Sequence, residues 1–132
     1  MEENNNIETV ETTEEVSNSK NSILTSIKKL LGISENCTDF DTDIIMHINT
    51  VLMVLNQLGV GEEGFQIEDK EAVWDEFVDS TKLAATKSYV HLKVKLLFDP
   101  PLNSAIIEAI KESIKELEWR LNVKAESDDE EV

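Results

Sequence analysis

The residues able to do acid–base, nucleophilic or metal chemistry are few and scattered. His47 has Asp43 one helical turn before it and Thr50 one turn after it. A metal or proton-transfer site would need a second histidine or further carboxylates converging there. The other histidine, His91, falls between Lys87 and Lys95, whose positive charges disfavour an imidazolium. Both read as surface or boundary histidines. Cys37 is the lone cysteine, which excludes an internal disulfide and a cysteine-rich zinc site. With no arrangement of His and Asp or Asn around it, it reads as an ordinary loop or half-buried thiol. GVGEEG (59–64) follows a helical pattern rather than a strand, so it is a flexible turn and not a dinucleotide fingerprint. The chain has no HExxH, GxxxxGK[ST], GxSxG or calcium-loop motif. The expectation is no catalytic residue, no cofactor and no metal, with an enzyme the least favoured class.

What remains is contact chemistry. Lys82, Lys87, His91, Lys93 and Lys95 give one stretch a locally basic side. It reads either as a solvated lysine face or as an intersubunit charge contact, with Lys87, Lys93 and Lys95 the candidates. Arg120, the only arginine, sits beside Trp119 in EWRLNV (118–123). Tryptophan and arginine are enriched at protein interfaces. Core-edge packing and partner contact both fit Trp119, Arg120, Leu121 and Val123. Phe65, in the glycine-bearing stretch, carries the same two readings, because an apolar tip on a projecting loop has no role in a monomer.

The elements that must hold these residues are written in helical periodicity. In SILTSIKKLLG (22–32), Ser22 is a plausible N-cap, Ile23, Ile27, Leu30 and Leu31 share a face, and Gly32 supplies the stop. In the next helix Asp41 is the expected cap, and Phe40 and Ile45 have staple spacing. Ile44, Ile48, Val51, Leu55 and Leu58 form its seam. Residues 59–70 read as a long loop or short β-hairpin, followed by a helical turn anchored on Trp74 and Phe77. A helix from about Thr81 to Phe98 carries two apolar stripes, the mark of a helix buried on two sides. Asp99-Pro100-Pro101 must end it, since neither proline donates an N–H and each pushes its predecessor out of the helical region. Asn103 can cap a last helix with Leu102 stapled to Ile107, and Ile107, Ile110, Ile114, Leu117 and Leu121 form its seam. The corner reads as a rigid structural hinge.

The fold class is therefore all-α: a small antiparallel helical bundle with one Gly-rich projecting loop or short β-hairpin, and acidic disordered tails. The expected divisions are an acidic tail at 1–20, a helical domain at 21–123 and a second acidic tail at 124–132. Net charge is −16, from 28 acids and 12 bases. Residues 1–20 hold six acids and one lysine, and 124–132 five acids and one lysine, which leaves the middle at 17 against 10. Such a chain has no basic excess to offer phosphates. No apolar run approaches the ~20 residues of a membrane span, and the start has no apolar leader, so the expected address is the cytosol.

In order along the chain, LTSIKKLLGI, FDTDIIMHINTVLMVLNQLGVG, the Trp74–Phe77 turn, KSYVHLKVKLLFDPP and ELEWRLNV resemble the head–tail connector (adaptor or head-completion) proteins of long-tailed bacteriophages. The likeness spans residues 22–123. It implies a structural virion protein that forms a ring under the portal, commonly a dodecamer, extending the DNA conduit and offering a platform to a stopper or tail-completion protein. Its implied partners are itself, the portal and that next neck component. DNA passes without specific binding, and no membrane is involved. The implied location is the virion neck, reached from the host cytoplasm during assembly. The likeness also implies contact roles for Phe65 and the 119–123 segment. A rival class, suggested by the charge, is an acidic DNA mimic or regulatory binding protein.

Overall fold

A computed structural model describes the backbone of residues 21–130 and the side chains of 21–128, so the tail expected at 1–20 lies outside the described residues. Four helices pack together: α1 (Ile23–Leu30), α2 (Asp41–Gln57), α3 (Leu83–Phe98) and α4 (Ser104–Glu130), with a 3-10 turn at Trp74–Glu76. Among the described residues the only extended pairing is a single bridge between Ser22 and Val73. Helix α3 is central and touches the other three, as its two apolar stripes require. Edge-on packing of Phe40 against Phe98, centroids 5.6 Å apart, sets the start of α2 beside the end of α3. Lys82 Nζ lies 2.8 Å from Asp128, which sets the start of α3 beside the far end of α4. Successive long helices therefore run antiparallel, and α2 and α4 point the same way.

Local signals place most of the ends. Ser22 Oγ accepts from the Thr25 N–H and caps α1. Val60 N–H folds back to the Leu55 carbonyl and ends α2. Asn103 Oδ1 accepts from the Ala105 and Ile106 N–H groups and caps α4. Helix α3 stops at Phe98 and Asp99 leaves the helical region (φ −146°, ψ 68°), as two consecutive prolines demand.

Four expectations are corrected. Asp41 does not cap α2. Its carboxylate turns instead to Lys28 Nζ, 2.8 Å away, and that lysine, 3 % exposed, also donates to the Glu35 carbonyl. A cation can be buried there because both partners reach it. Leu102 is fully exposed and so staples nothing.

The 59–70 segment is neither a hairpin nor a projection. Asn49 Oδ1 accepts from the Ile67 N–H at 2.8 Å and its Nδ2 donates to the Ile67 carbonyl at 3.0 Å. Asn56 donates to the Val60 and Glu62 carbonyls and accepts from the Gly64 N–H. Two α2 side chains thus do the work of a partner strand, and Val60 and Ile67 enter the core. Gly61 makes the closest approach. At φ +85° a Cβ would stand 2.3 Å from the Phe77 ring.

Finally, 124–130 is helix and not tail. Leu121, Ala125 and Asp128 continue the seam of α4 at intervals of four and three. Ala125 is buried so near Gly59 that a Cβ there would lie 3.3 Å from its own, and Asn122 Nδ2 donates to the Leu58 carbonyl. Tertiary anchors hold this charged segment in the helix.

Candidate functional site

The sequence-nominated contact residues fall into three places. On α4, Trp119 is 65 % exposed and Val123, one turn on, is also exposed. Around them stand Lys115 with Glu112 at 3.5 Å and Arg120 with Glu116 at 2.8 Å. Two exposed apolar side chains thus stand within a surround of charged pairs. Leu121 is a correction: at 2 % exposed it belongs to the core and offers nothing to a partner. The position of Trp119 off the buried seam is the reason it faces out while Leu121 faces in.

Phe65 is likewise no free tip. Half-buried, it packs against Phe77 with centroids 5.5 Å apart, held there by the Asn56 clamp on Gly64.

The three lysines of α3 diverge. Lys93 turns towards α4, 3.9 Å from Glu118 and over the Tyr89 ring. Tyr89, buried, donates its hydroxyl proton to Glu118 at 2.8 Å. Burial first, and then the carboxylate, push that phenol well above its ordinary range. Lys95 pairs with Asp99 at 2.9 Å, tying the end of α3 to the first residue of the corner. Lys87 forms no ion pair among the described residues. The structure therefore does not gather Lys87, Lys93 and Lys95 into one basic face.

His91 is half-buried, and burial first and Lys95 second lower its pKa, against the opposing pull of the Leu30 carbonyl. The folded state therefore binds a proton on this ring less readily than the unfolded chain. Stability from this group is present above the ordinary histidine value near 6.5 and is lost as pH falls below it. His91→Asn is expected to flatten the decline in melting temperature between about pH 6.5 and 5. An unchanged profile would show that His91 does not contribute to it.

Glu62, Asp75, Glu76, Asp79 and Lys82 border an open cleft of about 360 Å³ between the loop and the 3-10 turn. The Thr81 hydroxyl beside Asp79 holds that carboxyl below its usual range. Among the described residues no group of three or more His, Cys, Asp or Glu side chains is placed to hold a metal ion. His47 and Cys37 are each half-buried on separate elements.

One surface was not read from the sequence. From Ile44 to Gly61 there is no Asp, Glu, Lys or Arg, and the side of α2 opposite its buried seam exposes Met46, Thr50 and Met53. The signal was available as a charge-free outer face in a chain that is 30 % charged.

None of the curated proteins or solved structures compared with the chain matches it. A family model described as phage connector protein matches residues 23–128, from the first residue of α1 to the last described side chain. That match takes in all four helices, the clamped loop and the prolyl corner, and it describes a structural family and not an enzyme. The chain belongs to the phage connector protein family.

Proposed function

We propose that this chain is a head–tail connector subunit that assembles as a ring beneath the portal of a tailed phage. The ring lengthens the DNA channel, and its free side seats the next neck or tail protein. Family membership over residues 23–128 carries the reading. The exposed Trp119–Val123 anchor supports it, as does a net charge of −16 that gives passing DNA nothing to adhere to. Ring closure needs heterologous contacts, each subunit offering two different faces.

The Asp99-Pro100-Pro101 corner serves by fixing how α4 turns back against the bundle, and with it the direction of Trp119. Pro100→Ala with Pro101→Ala is expected to weaken assembly while circular dichroism reports nearly unchanged helix content. Added freedom in the unfolded and unassembled corner is the cause. Normal assembly of the double variant would remove the corner from the account.

Mass measurement of the purified chain, alone and with its portal protein, tests the function itself. A ring, or stoichiometric addition of several copies to the portal, is expected. A chain that stays monomeric, ignores the portal and blocks a DNA-binding protein would fit the acidic mimic instead.

A further inference from the structure

The charge-free face of α2 and the rimmed tryptophan of α4 have complementary properties and lie at one height in the molecule. Helices α2 and α4 point the same way, and the Asn122–Leu58 hydrogen bond sets their levels against each other. At ~1.5 Å per residue, Trp119 lies roughly 4.5 Å before that level on α4, and Met53 roughly 7.5 Å before it on α2. A rotation about an axis running along the helices preserves height. In a ring built on such an axis, Trp119 of one copy and Met53 of the next differ in level by only ~3 Å.

Charge decides which partner the α2 face fits. Two chains of net charge −16 repel, and like charges brought together at an interface cost several kcal/mol. A surface empty of charge can receive another copy without that cost, and the outer face of α2 between Ile44 and Gln57 is such a surface. Met46 and Met53, 57 % and 54 % exposed, supply the adaptable apolar surface that interfaces favour.

We infer that the Met46–Thr50–Met53 face of α2 is the acceptor half of the contact between copies, receiving the Trp119–Val123 anchor of α4 from the neighbouring copy. This rests on the ring reading above and assigns its two faces. The contact is head-to-tail, so it leaves one free α2 face and one free α4 anchor at each stage until the ring closes.

Paired cysteines test it in the full chain carrying Cys37→Ser. Met53→Cys together with Lys115→Cys, which stands exposed one turn before Trp119 and leaves the anchor in place, oxidised at a concentration where the parent assembles, is expected to give a ladder of covalent multimers on a denaturing gel. Either cysteine alone is expected to stay monomeric. In parallel, Met46→Glu with Met53→Glu should weaken assembly at least tenfold with unchanged circular dichroism, since both side chains point away from the core. A covalent dimer from Met53→Cys alone would show α2 meeting α2 and overturn the head-to-tail assignment. No ladder, with rings of the parent seen by electron microscopy, would overturn it too while leaving the ring intact. A parent chain that forms no ring, alone or on its portal, would overturn the ring reading and this inference with it.

Discussion

Trp119→Ala is expected to weaken assembly roughly 30- to 1,000-fold, the equivalent of ~2–4 kcal/mol for a central aromatic anchor. Folding should be nearly untouched. Trp119 is 65 % exposed and makes no hydrogen bond among the described residues, so its loss should stay within about 0.5 kcal/mol of stability. Arg120→Ala is the matched control. Its pair with Glu116 is exposed at both ends and spans one turn of helix, a contact worth ~0.3–0.5 kcal/mol at best. Sedimentation of each variant across a concentration series, beside its thermal melt, separates the two effects. A Trp119→Ala chain that assembles like the parent would show the exposed indole to be incidental.

Trp74→Ala should produce the largest loss of stability, ~3–5 kcal/mol. Trp74 is among the largest fully buried side chains, and its Nε1 donates to Ser26 Oγ on α1 at 2.9 Å. The indole joins the 3-10 turn to α1, where the Ser22–Val73 bridge and the Ile23–Ala72 hydrogen bond also sit. Truncation would leave a cavity and remove the hydrogen bond to α1, while the Ser26 hydroxyl keeps its own bond to the Ile23 carbonyl. Against a total of ~5–15 kcal/mol for a domain of this kind, that is a large fraction. Trp74→Phe should cost clearly less, since it keeps most of the volume and gives up the hydrogen bond. Urea denaturation checks both. Equal, small losses would mean that the 3-10 turn is peripheral to the fold.

What could be read in advance was whatever the backbone signals locally. Ser22, Asn103, Gly32 and the two prolines each act on their own neighbours, and each ended or began a helix where its chemistry required. The seams of α2 and α4 were legible because burial follows helical period. What escaped was tertiary. Asn49 holds a loop residue eighteen positions on and Asn56 clamps the loop's start, and nothing in local composition marks an asparagine for that task. Lys28, in the last turn of α1, is a buried cation shared by Asp41 and Glu35, and nothing in its neighbourhood along the chain announces that. The last turns of α4 looked like a tail because acidic composition averages over all faces. The one face that matters carries Leu121, Ala125 and Asp128, and it packs. Leu121 and Trp119 show the same limit within the candidate site: two residues apart, one is core and the other surface.

The neck of a particle assembled with this chain gives the most direct test. Electron microscopy of the portal incubated with the full chain should show a closed ring of these four-helix subunits, coaxial with the portal and continuous with its channel. A portal that stays bare while the folded chain remains free in solution would contradict the account.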